Sequence, residues 1–311
     1  MNTFEKILES TEYVVNNAEE VKINNEKLLA YAKEIAPKVN NLSWVNENPF
    51  NLEELSEEKR INLMLTFNSL SFSYWGEPYW TKPYKGQKFK RGSWSLIGAL
   101  LTAEEEGIPI LDANYKANIS LEEVTKVLTS SFVMPMIQER WKILQDTGTV
   151  LVEKYKGDFR NMIDAAKGNG ANFVDLIVND FSSFKDTAEY KGKKIYFCKR
   201  AQATAQSFPN LIDASKTTAL ADYVEPAHLR SLRIFEYGNE LSYLIDSEIE
   251  LKKGSKFETE IRSSNVQVVK RITDEINKTH PNVIQSAVND YLWLYGRDSK
   301  TPFHRCRTTA Y

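Results

Sequence analysis

Cysteine is scarce in this chain. Of 311 residues only Cys198 and Cys306 are cysteine, so neither a disulfide framework nor a Cys-rich metal site can be built. Histidine is as rare: His228, His280 and His304 stand far apart, without the spacing of a metal-ligating set. Charge of one sign is lacking too. Forty Lys and Arg against 42 Asp and Glu leave a net charge of -2, which excludes a broad basic face for phosphate backbones but leaves room for a small basic pocket. No apolar run approaches membrane-spanning length. The N-terminal MNTFEKILEST is acidic and amphipathic and has no apolar secretory core, so the expected setting is cytoplasmic. Signature motifs are missing as well: there is no P-loop, no GxGxxG after a strand, no GxSxG and no HExxH. GNGAN at 168–172 reads as a helix break rather than a phosphate cradle.

What is present is an ordinary globular balance, 42% hydrophobic and 26% charged, on a chain long enough for a large core. Six Trp, 15 Tyr and 15 Phe suit either that core or a pocket for a flat ligand. Helical spacing dominates the pattern. It is seen at 4–15, at 24–36 behind an Asn cap and closed by Pro37, from Ser56 along Ile61 to Phe67, and from Ser93 to Glu106. NISLEEVTKVL carries a capping box, Ser120 with Glu123. Residues 134–154 and 158–180 read as helices, as do 201–207, 225–234 and 239–246; SNVQVVKRITDEINK and VIQSAVNDYLWLYG read as two more. The best strand is Lys194 to Cys198, and KGSKFETEIR looks extended. The expected fold class is therefore mainly α with one small β element. The chain reads as a single unit over 1–311, with room for two interlocked helical lobes at about 1–115 and 116–311 and a pocket between them.

Four polar–aromatic clusters could carry chemistry. NSLSFSYW, from Asn68 to Trp75 and on to Trp80, is either a core wall or a ligand wall. In CKRAQ, Lys199 and Arg200 follow a strand, as a solvated strand end or as a phosphate contact. In LADYVEP, Asp222 precedes a helix and suits a cap, a ligand-reading acid, or both. In SAVNDYLWLYG, Asp290 lies inside an otherwise apolar helix; it either faces outward or is buried and needs a partner. Two acids, aromatic walls and a cation suit cleavage of a glycosidic bond, whose oxocarbenium-like transition state a carboxylate stabilises.

The order and spacing of these segments resemble the queuosine salvage family, the queuosine 5'-phosphate N-glycosylase/hydrolases. The resemblance runs through NSLSFSYW, YKGQKFKRGSWSL, EEGIPI, MPMIQERWKIL with its DTG, YKGKKIYFCKRAQ, LADYVEPAHL, EIR, DYLWLYG and PFHRCRTTAY. It implies a largely helical fold similar to helix-hairpin-helix DNA glycosylases. It also implies release of queuine, a 7-deazaguanine base, from its nucleoside 5'-phosphate, with no metal or organic cofactor, no direct nucleic-acid binding and no membrane. By the same resemblance Asp222 and Tyr223 hold the base, with Leu220 where the family has an aromatic residue. Asp290, or Asn289 in a register shifted by one residue, faces the sugar. Lys199, with Arg305, meets the phosphate, and Trp75 and Trp293 wall the pocket. Asn68 stands where the resemblance leads one to expect Asp. An alternative from another class is a diverged protein that binds a modified nucleoside or deazapurine base without hydrolysing it. His304 is expected to anchor the C-terminal arm.

Overall fold

The computed structural model describes residues 1–39, 42–76, 78–90 and 92–311. In chain order the helices and strands are α1 (Thr3–Asn16), β1 (Val21–Ile23), α2 (Asn25–Ile35), α3 (Glu57–Leu70), α4 (Gly92–Glu105), α5 (Ala113–Asn118), α6 (Leu121–Val127), α7 (Ile137–Tyr155), α8 (Arg160–Ala165) and α9 (Gly170–Asp180). There follow β2 (Thr187–Tyr190), β3 (Lys193–Tyr196), α10 (Lys199–Gln206), α11 (Val224–Ser231), β4 (Phe235–Tyr237), α12 (Asn239–Asp246), α13 (Lys256–Ile276) and α14 (Gln285–Gly296). The fold is mainly helical, as the sequence pattern predicts. The caps are also where the residue types put them. Asn24 and Ser56 accept the backbone N–H groups of Lys27 and Lys59, and Ser120 and Glu123 form a reciprocal capping box.

Two helices run through the interior rather than along it. In α3 every residue from Ile61 to Leu70 is buried, polar ones included, and in α13 burial is continuous from Glu258 to Val269. Some of their polar side chains find partners, Thr66 and Asn68 on carbonyls of their own helix and Glu260 on backbone N–H groups of residues 19–21, whereas those of Thr259, Ser263, Ser264 and Asn265 find none among the described residues. Around α13 pack α1, α2, α11 and α14, while α7 packs on α3 and α5. The α5–α7 crossing is close because Gly148 lets it be: a Cβ there would lie 2.3 Å from the Ala117 nitrogen.

Where one small β element is expected there are two antiparallel pairs. One is the β2–β3 hairpin, turned by Lys191 and Gly192, both with positive φ. The other joins distant segments, β1 to β4, with Val21 opposite Tyr237 and Ile23 opposite Phe235. The predicted strand Lys194 to Cys198 stops at Tyr196; Cys198 turns left-handed, φ 50°, and starts α10. KGSKFETEIR is not extended. Its Ser255 accepts the Glu258 N–H, and Glu258 pairs with Arg262 one turn on at 3.2 Å, so this stretch is the first turns of α13.

The carboxyl end of α3 is held by two buried arginines. Arg140 donates to the carbonyls of Leu70 and Phe72, and Arg200 to those of Ser69 and Ser183. Their guanidinium groups lie 4.1 and 5.3 Å from the Phe72 ring. Cations at a helix C-terminus satisfy its orphan carbonyls and oppose its dipole. The clamp fixes the start of the segment that delivers Ser71 and Tyr74 to the site.

Candidate active site

A cavity of about 340 Å³ opens between the α3–α4 segment and the α10, α11 and α14 segments. That volume lies in the range of small-molecule sites. Its floor carries Asp290 from α14, which is buried and accepts two hydrogen bonds. The backbone N–H of Trp44 donates to Oδ2 at 2.9 Å, and Asn289 Nδ2 donates to Oδ1 at 3.2 Å. Burial pushes the carboxyl up to about 7, and the two hydrogen bonds pull against that rise. The group therefore lies near the midpoint of its titration at neutral pH. Asn289 and Asp290 both line the cavity, although neighbours on a helix point about 100° apart. The amide serves the wall: Asn289 Oδ1 accepts the Leu220 N–H at 2.7 Å while its nitrogen holds Asp290.

Asp222 stands in the same cavity, on the turn before α11. Its Oδ1 accepts the N–H of Val224, the first helical residue, at 2.8 Å. One oxygen thus satisfies the helix start, as its sequence position suggests, and Oδ2 lies 3.9 Å from Lys199 Nζ. Lys199 is itself buried; desolvation lowers its proton affinity, and Asp222 opposes that. The turn is held from behind by Arg262. Its Nε donates to the Ala221 carbonyl at 2.8 Å, and its two terminal nitrogens bind Asp186 at 3.0 and 2.6 Å. Asp186 Oδ2 also accepts the Lys199 N–H at 3.3 Å. One buried ion pair therefore positions both the acid turn and the helix that carries the cation.

Aromatic faces close the sides. Trp94 meets Trp293 edge-on with ring centres 6.2 Å apart, and the Arg297 guanidinium sits 4.2 Å from the Trp94 ring. Tyr223 lies against Phe303 at 4.7 Å. Tyr311 also lines the cavity, and its hydroxyl meets buried His304 Nε2 at 3.2 Å. Burial drives His304 down to about 3, so the ring is neutral. Exposed Lys88 and Lys90 stand at the rim. Asn68 lines the wall and donates to the Met64 carbonyl at 2.9 Å and to Ser207 Oγ at 3.0 Å. Ser207 donates its own proton to the Ala203 carbonyl, so in this arrangement both partners of Asn68 act as acceptors.

Of the residues named from sequence, Asn68, Lys199, Leu220, Asp222, Tyr223, Asn289, Asp290 and Trp293 line this one cavity. Trp75 and Arg305 are not among its lining residues. Trp75 is buried behind Tyr223 with Val224 and Cys306, under the Arg307 guanidinium at 3.8 Å. Arg305 reaches outward to Glu248 at 2.7 Å. Sequence reasoning misses Trp44, Trp94, Arg262 and Glu225. Trp44 lies in a loop with no periodic signal. Arg262 lies in KGSKFETEIR, whose several charges and extended look give no sign that it is buried.

No group of three His, Cys, Asp or Glu able to hold a metal ion occurs among the described residues, and no helix there is long and apolar enough to cross a membrane.

Comparison with known proteins adds an independent line. Residues 51–311 match the family model described as queuosine salvage protein. Among curated proteins, one from Mus musculus is 33% identical over 97% of this chain and 98% of its own length. One from Bos taurus is 32% identical over 97% and 98%. One from Sphaerobacter thermophilus is 31% identical over 98% and 97%. Each of the three is named queuosine 5'-phosphate N-glycosylase/hydrolase.

Proposed function

This chain belongs to the queuosine salvage protein family, and from that premise we propose that it hydrolyses the N-glycosidic bond of queuosine 5'-phosphate and releases queuine. The observation that carries the reading is the pairing of two differently held carboxyls in one aromatic-walled cavity. Asp290 is buried, with its proton affinity raised toward neutrality, while Asp222 lies 3.9 Å from a lysine. Environments that separate two acids in this way divide the roles of base and binder.

In this reading the base enters between the aromatic faces, and Asp222 accepts hydrogen bonds from its amino and ring N–H groups. Asp290, in its ionised form, lies beneath the sugar. As the bond between C1′ and the base nitrogen lengthens, its electron pair leaves with the base and positive charge develops on the ring. Ionised Asp290 stabilises that charge in a site from which water is largely excluded. It also takes a proton from the water whose oxygen bonds to C1′ and later returns it to solvent; the departing base takes a proton from solvent water, so the products are queuine and ribose 5-phosphate. The Trp44 N–H and the Asn289 amide hold the carboxylate in place while its charge is in use.

The sequence reading gives Lys199 to the phosphate. Its place 3.9 Å from Asp222 suits it better to holding the base-reading acid. Lys88 and Lys90 at the rim then supply charge for the phosphate, which stays hydrated there at lower desolvation cost than deep in the cavity.

The test is incubation of the purified protein with queuosine 5'-phosphate and, separately, with queuosine, following free base by chromatography. Faster release from the phosphate is the expected result. Binding of the nucleotide by calorimetry with no base released from either would replace the hydrolase reading with that of a non-hydrolysing binder.

A further inference from the structure

Glu225 is fully buried in the first turn of α11, and among the described residues neither of its carboxyl oxygens meets an N–H or O–H donor from another residue. A carboxyl in that state is unusual, because buried charges are paired or bound by donors. The group it meets is another acid, Asp222 three residues earlier, and burial and that contact raise its proton affinity well above the ordinary range. The charged groups that bear on it are Asp222 and, more weakly, Lys199. Two carboxylates cannot share such a contact with both ionised, so one proton must lie between them. Its place follows from the surroundings. Asp222 has the Val224 N–H on one oxygen and the Lys199 ammonium 3.9 Å from the other, whereas Glu225 meets no donor from another residue and interacts with Lys199 more weakly than Asp222 does.

We propose that Glu225 is a positioning residue, a neutral carboxylic acid whose O–H donates to the Asp222 carboxylate and so fixes the oxygen that reads the base. The inference rests on the proposed function only for what Asp222 reads. The charge count supports it: with Glu225 neutral, Asp222 and Lys199 form a balanced pair. With Glu225 ionised, the same burial would enclose an uncompensated negative charge. The donor also occupies one lone pair of Asp222, as the Val224 N–H occupies another, and Asp222 lines the cavity with what remains. A 2-amino-4-oxo pyrimidine edge, which presents two adjacent N–H donors, matches that arrangement; an adenine-like edge with a ring acceptor at the same place does not.

Two measurements test this. In the first, infrared spectra are taken at pH 7, above the range of ordinary carboxyls, in an Asp290→Asn background, which removes the other high-titrating acid of the cavity. A protonated-carboxyl stretch is expected with Glu225 present and should be lost on adding Glu225→Gln. Absence of the band at the outset, or its survival in the Gln variant, overturns the proposal, whatever the substrate proves to be. In the second, steady-state kinetics on queuosine 5'-phosphate compare Glu225→Leu with Glu225→Gln. Loss of a donor to a charged acceptor should raise KM about 10- to 100-fold with little change in kcat in the Leu variant. The Gln variant, whose amide still donates, should recover most of that loss. Equal impairment of both variants, or of neither, overturns the positioning role. Should the Leu variant fail to fold, the infrared result and the Gln kinetics still decide. Failure of the wild-type protein to release queuine removes the functional reading while leaving the infrared result to stand or fall alone.

Discussion

Asn289 and Asp290 are neighbours in sequence and partners in space: the carboxamide Nδ2 of the first donates to Oδ1 of the second at 3.2 Å. The same carboxamide accepts the Leu220 N–H, so a single side chain ties the acid of α14 to the turn that carries Asp222. The link needs both halves of an amide, a donor toward Asp290 and an acceptor toward Leu220.

Replacing the amide by a second acid should therefore change the pH response as well as the rate. Asn289→Asp places like charges side by side, and the Asp290 carboxyl should titrate higher still. The acidic limb of kcat/KM should move up by at least about one pH unit. A pH–rate profile of the variant beside the wild type checks this; an unmoved limb would separate Asn289 from the acid that controls turnover.

For the wild-type protein, activity that requires ionised Asp290 should fall as pH drops through about 7, by about tenfold per unit well below that point. Hydrolysis rates from pH 5 to 9 report the limb. A profile flat down to pH 5 would assign the chemistry to another group.

Asp290→Asn should cost at least about 10³-fold in kcat, the scale for loss of a charge aimed at a transition state. Stability should move the other way. A carboxyl that binds its proton more tightly when folded supports the fold at low pH, and that support is lost as pH rises through about 7. The amide escapes this loss. The variant should be more stable than wild type by about 1–3 kcal/mol at pH 8 and equal to it near pH 4. Urea unfolding at the two pH values measures the difference.

Arg262→Met should be damaging out of proportion to its distance from the cavity. It leaves Asp186 and Glu258 buried without their cation and the Ala221 carbonyl without its donor. The expected loss is about 3–5 kcal/mol, read from denaturant midpoints. A loss below about 1 kcal/mol would mean the network contributes little.

At the rim, the pair Lys88→Ala and Lys90→Ala should lower kcat/KM for queuosine 5'-phosphate about tenfold, since exposed charges are worth up to about 1 kcal/mol each. Release from queuosine itself should change little, and added salt should shrink the difference between substrates. Equal losses on both substrates would move the phosphate elsewhere.

Much of this arrangement was legible in the sequence where the signal was local. Asp290 stood out as a poor helix former in an apolar helix, and Asp222 as an acid before a helix start; both line the cavity. Asn24, Ser56 and Ser120 cap because their side chains bond backbone within three residues. What stayed hidden depends on distant closure. Trp44 meets Asp290 across 246 residues through a backbone N–H, a group every non-proline residue has. Glu225 looks like any acid in a first helical turn, where the dipole favours negative charge; its burial is tertiary. Arg262 was hidden by a misread period: a stretch with charges at Lys256, Glu258, Glu260 and Arg262 alternates like a strand, yet forms a helix in which Glu258 pairs with Arg262 and Glu260 takes backbone N–H groups of residues 19–21.

The contact between the Trp44 N–H and Asp290 turns the acid into a gauge of its own enclosure. The proton affinity of Asp290 is high because it is buried, with Trp44 of the 42–48 segment in the cavity wall, and that effect outweighs the hydrogen bonds the same enclosure supplies. A chain with that segment displaced would hydrate the carboxyl, return it toward ordinary acidity and leave it ionised at every physiological pH. Such an open form would carry the charge the reaction needs in a medium that screens it. Charge and usefulness thus run in opposite directions, and the form best able to act is the one in which the acid is hardest to ionise.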